Sequence, residues 1–124
     1  MKTLTKVAQI LARITGTLQI LLGLVIWFGI ADAFTLVHIL SGVVLVLCLW
    51  ILAVVAGRVG VNLGLVAFSI LWGVLIAVFG LIQEGLVPGQ AHWIIQVIHL
   101  LVGMSVIGLA ERLGIMIKQK TPNA

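Results

Sequence analysis

Four long apolar runs, at about 14–31, 34–56, 61–82 and 91–110, take up most of the 124-residue chain, and little but short polar junctions separates them. Each run holds about 18–23 residues, enough to cross about 30 Å of hydrocarbon at about 1.5 Å per residue. No water is present in a bilayer core, so every backbone amide there needs a partner within the chain, and runs of this length are confined to helices. The expected fold class is therefore all-α: an integral membrane four-helix bundle. With 63% hydrophobic and 8% charged residues, the chain reads as a single transmembrane domain over 1–124, with no room for a separate soluble catalytic module.

Charge sets the expected orientation. The seven basic residues are Lys2, Lys6, Arg13, Arg58, Arg112, Lys118 and Lys120. With four spans, all of them fall on one side, and Asp32 and Glu84 fall on the other. The positive-inside rule then places both termini and the Arg58 turn in the cytoplasm of a multi-pass cell (inner) membrane protein. The net charge of +4 flanks apolar runs, so it reads as a topology signal with the lipid bilayer as partner and no nucleic acid. Cys48 is the single cysteine and lies within the second run; it can build neither a disulfide framework nor a zinc cluster and reads as a small hydrophobe.

Residues 1–12 carry Leu4, Val7, Ile10 and Leu11 at helical spacing with Lys2 and Lys6, which predicts a short amphipathic lead-in on the membrane surface. The same N-terminal pattern, followed by Ala31-Asp32-Ala33, also fits a signal peptide. The run is long for a signal and has a counterpart later in the chain, so it is expected to be retained. Residues from Glu111 to Lys120 read as a polar, frayed tail. Span one ends Trp27-Phe28-Gly29 and span three Val78-Phe79-Gly80, with Gly23 and Gly73 a turn or two earlier, and each is followed by a span containing His-x-Leu-x-Gly. The halves share one orientation and read as a parallel duplication of a two-helix hairpin.

That repeated motif is the chemistry-bearing feature. His38 precedes Gly42 by four positions, and His99 precedes Gly103 by four. Residues i and i+4 share a helix face, so each histidine lies beside a side-chain-free patch on which a flat group could rest. An ionisable residue inside a span is costly and marks a functional site by default. The two histidines lie at similar depths, about 6 and 12 Å from the outer end, on spans that can face each other diagonally. His92 and Gln96 share the face of His99 nearer the outer surface, where His92 is also explained as an interfacial residue. Trp27 and Trp93 fit an outer aromatic belt; Trp72 lies deeper. Gln19 and Asn62 read as polar glue on the inner half, and Gly60-x3-Gly64 and Ser69-x3-Gly73 fit close helix packing.

Two opposed imidazoles suit a metal. Zinc wants four ligands, with thiolate or carboxylate usual among them, and none lies at that depth; methionine placement does not support copper. Iron already held by a porphyrin needs only two axial ligands from the protein. In this respect the sequence resembles the membrane b-type cytochromes, four-helix bundles in which histidines of the second and fourth helices clamp haem and glycines of the first and third make room for the ring. The resemblance implies one haem b with His38 and His99 as axial ligands and Gly23, Gly29, Gly73 and Gly80 as ring-clearing glycines. Gly42, Gly103 and His92 complete the candidate cofactor site, and Ser41 and Ser105 are candidate acceptors for the imidazole N–H groups. The respiratory cytochrome b carries a second histidine pair where this chain has Ile51, Leu52, Arg112 and Leu113, so one haem is implied. The function expected is electron transfer near the outer leaflet with a redox protein or quinone, in a monomer or a homo-oligomer. The alternative is a non-redox small transporter or accessory subunit whose histidines carry protons or contact substrate. No nucleophile–base pair, phosphate loop or carboxylate pair points to hydrolytic or transferase chemistry.

Overall fold

The computed structural model describes residues 1–122. It contains four α-helices, α1 (Lys2–Trp27), α2 (Thr35–Arg58), α3 (Leu63–Ile82) and α4 (His92–Lys120), with 3-10 turns at Asp32–Phe34 and Gln83–Gly85. Among the described residues there is no strand. All four helices are long and apolar enough to cross a membrane. Short connections make consecutive helices antiparallel, which gathers the start of α1, the α2–α3 turn and the end of α4 at one end of the bundle. The contacts run around the square and along one diagonal: α2 touches α4, whereas α1 and α3 occupy opposite corners and do not meet.

Two glycines fix the turns. Gly29 takes φ +67°, its N–H donates to the Ile26 carbonyl at 2.9 Å, and the Ile30 N–H donates to the Val25 carbonyl at 3.1 Å. Gly60 repeats the arrangement at φ +83°, with the Val61 N–H donating to the Ala56 carbonyl at 2.9 Å. This left-handed helix stop is nearly free of strain only for glycine. Gly29 therefore ends α1 and lines no ring site, and Gly60 belongs to a turn, not to a packing motif with Gly64. Asn62 is the N-cap of α3, its Oδ1 accepting from the Leu65 N–H at 3.2 Å, and is not glue between helices.

The helices exceed the apolar runs at the basic end. α1 is continuous from Lys2, so the lead-in is part of the first span's helix, and α4 continues to Lys120, so the tail is helical. One contact explains both differences. Thr5, Ala8, Gln9 and Ala12 of α1 are buried, as are Leu113, Gly114 and Ile117 of α4, and the Gln9 side chain lies directly over Gly114. Arg13 closes the pair with two bonds to Glu111, Nε to Oε1 at 2.5 Å and Nη2 to Oε2 at 2.9 Å. Small residues bring the helices close there: a Cβ placed on Gly16 would stand 2.7 Å from Ile107 Cγ1. Leu49, Leu52, Val106 and Leu113 have no exposed surface and fill the seam between α2 and α4.

Candidate functional site

Away from the basic end the seam opens into a cavity of about 520 Å³. His38, in the first turn of α2, and His99, two turns into α4, both line it. Their ring centres stand 6.2 Å apart with the planes inclined at 55°. The diagonal contact between α2 and α4 makes this convergence possible. The two helices are locked by aliphatic packing below, and above it their histidines face one space.

Each ring is backed by a glycine of its hairpin partner. A Cβ on Gly23 of α1 would meet His38 Cε1 at 3.3 Å, and a Cβ on Gly80 of α3 would meet His99 Cε1 at 3.3 Å. The opposite corners α1 and α3 thus each offer a notch, and an imidazole occupies each one. Gly23 corresponds in place to Gly80, not to Gly73. Gly73 is filled by the indole of Trp50, whose Nε1 donates to the Ile70 carbonyl at 3.1 Å. Nothing in the sequence around Trp50 pairs it with Gly73; the relation exists only across two helices.

The motif glycines differ from each other. Gly42 is covered by Gln19, since a Cβ there would stand 3.0 Å from Gln19 Nε2. That amide donates to the backbone carbonyl of His38 and to Ser41 Oγ at 2.6 Å. Gln19 therefore holds the turn of α2 that carries His38, a firmer role than general glue. Gly103 faces open cavity, with no packed neighbour from the rest of the protein within 4 Å of a Cβ built on it.

The Nδ1 atoms of His38 and His99 are both buried and without a hydrogen-bond partner. Ser41 and Ser105 do not serve them. Ser41 Oγ donates to the His38 carbonyl at 3.2 Å. Ser105 Oγ donates to the Val102 carbonyl at 2.5 Å and accepts from Trp72 Nε1 at 2.6 Å, which gives the deep Trp72 its partner. Phe79 lies beside His99 instead, ring centres 5.7 Å apart. His92 also lines the cavity, with Nδ1 2.9 Å from the Leu86 carbonyl. A carbonyl only accepts, so this nitrogen donates to it. Gln83, Glu84 and Gln96 are the other polar residues near His92 in the lining, and no Lys or Arg joins them. Trp27 lines the same cavity, while Trp93 is exposed.

Among the described residues no group of three or more His, Cys, Asp or Glu is placed to hold a metal ion. The donor set on offer is two imidazoles. Imidazole nitrogen binds a metal such as zinc at about 2.0–2.1 Å, so two rings in line with one metal between them would have centres about 6.3 Å apart. The His38–His99 spacing of 6.2 Å is of that size. The two imidazoles lining one apolar cavity and the open face at Gly103 fit a flat group carrying its own equatorial ligands. No protein-family model, curated protein or solved structure matches the chain.

Proposed function

We propose that the chain is a membrane b-type cytochrome that holds one haem b between α2 and α4 and transfers electrons near the outer leaflet of the cell (inner) membrane, with a redox protein or a quinone as partner. The observation that carries this reading is the convergence of His38 and His99, from diagonally placed helices, on one apolar cavity at a spacing suited to a shared metal. Bound haem would supply one-electron transfer. The residues of the chain that would hold it are His38 and His99, as ligands; Gly23 and Gly80 give the two imidazoles room to pack, and Gly103 leaves a bare helix surface for the ring. Gln19 and Ser41 fix the His38 turn, and the aliphatic seam below excludes water. The matching relation of Gly23 to His38 and of Gly80 to His99 also supports descent of the two hairpins from a parallel duplication.

Expression with haem available, followed by spectra of the parent and of His38→Ala, His99→Ala and His92→Ala, tests the proposal. The parent should show a six-coordinate low-spin spectrum, either of the first two changes should abolish it, and His92→Ala should largely preserve it. A colourless parent that takes up no haem would overturn the cytochrome reading. The one-sided placement of the basic residues supports a topology with both termini cytoplasmic. A cysteine at Gly85 should then react with an impermeant thiol reagent applied outside, and one at Gln119 should not.

One observation favours a second reading, a non-redox transporter or accessory subunit. The cavity lining carries Glu84 and no basic side chain to receive acidic ring substituents. Two imidazoles facing one cavity, each with an unpartnered nitrogen, would suit proton movement or a polar substrate.

A further inference from the structure

At the opposite end of the bundle a second cavity, of about 310 Å³, lies between the start of α1 and the end of α4. We infer that it is a binding site for a phosphate-bearing anion. Lys2 and Lys6, one turn apart on α1, and Lys118 of α4 all line it. No acidic residue does: Arg13 is in the wall, but its guanidinium is bonded to Glu111. Three ammonium groups bordering one cavity give it an excess of positive charge, to which an anion is attracted. The second observation is Gln9 in the same wall. It is 2% exposed, and its carboxamide nitrogen is buried with no acceptor. The amide packs over Gly114 at the cavity's inner edge; a buried amide N–H without a partner is costly, and turning towards a phosphate oxygen in the cavity would give it an acceptor.

The position narrows the ligand. Residues 2–13 lie beyond the first apolar run, where headgroups would be. Leu4, Val7 and Leu11, on another face of the same turns, are exposed and apolar, as expected for a helix segment bordered by acyl chains. Basic pockets between membrane helices bind phosphate headgroups in this way. The shared chemistry is a phosphate ester, supplied either by an anionic phospholipid or by a soluble compound.

The full chain is placed in phosphatidylcholine nanodiscs with increasing phosphatidylglycerol, and native mass spectrometry counts retained phosphatidylglycerol. In a second arm, inorganic phosphate is titrated calorimetrically into the chain in pure phosphatidylcholine discs. The parent should retain one phosphatidylglycerol per chain, or bind phosphate in the second arm if the source is soluble. Lys6→Gln and Lys118→Gln should each weaken binding about fivefold. Gln9→Leu should weaken it with no change of net charge, and Lys120→Gln, outside the cavity, should leave it unchanged. Unaltered thermal midpoints keep a folding defect from imitating the result. Absence of binding in both arms overturns the inference. So does an equal loss with Lys120→Gln, because the attraction would then belong to the basic end as a whole.

Discussion

The two halves of the bundle solve opposite problems with similar residues. At the basic end, α1, α2 and α4 close on each other until Leu49, Leu52, Val106, Ala110 and Leu113 lose all exposure. At the other end the same helices, with α3, enclose about 520 Å³ around two histidines whose buried Nδ1 atoms have no partner. Glycine works differently in each half. Gly16 and Gly114 admit a neighbouring side chain and tighten the packing, whereas Gly23 and Gly80 admit the imidazoles and Gly103 admits nothing. The tight half supplies rigidity, and the open half has room that aliphatic side chains could have filled. A helix pair locked below and open above is a frame for a ligand.

The sharpest way to break this contrast is to damage the tight half. Leu52→Ala or Leu113→Ala should destabilise the fold by about 2–5 kcal/mol, as for fully buried leucines elsewhere. Leu101→Ala, on the exposed face of α4, should change little. Thermal unfolding in detergent measures the difference. If all three cost the same, the seam between α2 and α4 is not the frame described above.

Gly103→Leu probes the open half. The new side chain enters empty space, so the unfolding midpoint should hold while haem uptake falls severalfold. Gly64→Leu, near Asn62 at the α3 N-terminus, should leave uptake intact. Equal effects on uptake would return Gly103 to ordinary helix packing.

Gln19→Leu is subtler. It removes donors to the His38 carbonyl and to Ser41 Oγ, and loss of such a bond costs about 1 kcal/mol. Its greater consequence should be looser His38 geometry, seen as a mixed-spin spectrum in haem-loaded protein. A spectrum identical to the parent's would show that Gln19 stabilises the helix pair without positioning the histidine.

Much of this contrast is legible in the sequence, and the missing part has one physical cause. Run length and the demand for satisfied amides give the helix number, and His38 and His99 stand out because an ionisable group in an apolar run is rare. What sequence periodicity cannot supply is which residue of another helix fills a given notch. Gly42 and Gly103 look equivalent along the chain, yet one is covered by Gln19 and the other is open. Along the chain Gly73 looks like the partner of Gly23, but Trp50 occupies it and Gly80 takes that place. The lead-in and the tail each look like surface segments because each is polar on one side; together they form a buried contact through Thr5, Gln9, Leu113 and Ile117.

The smallest effect should come from the most conspicuous polar contact. Arg13 and Glu111 form a two-bond pair, but their side chains are 58% and 29% exposed. Water and salt screen such a pair, and ordering two long side chains offsets much of the attraction. The helices it joins are already held by Ala8, Ala12, Leu113 and Ile117 beneath it. Arg13→Gln and Glu111→Gln should therefore each leave the unfolding midpoint within measurement error of the parent at physiological salt. The double variant should match the singles, since neither remaining partner is buried and unpaired. A large loss in either single variant, rescued by exchanging the two residues as Arg13→Glu with Glu111→Arg, would show that the ion pair, and not the small-residue seam under it, holds the basic end together.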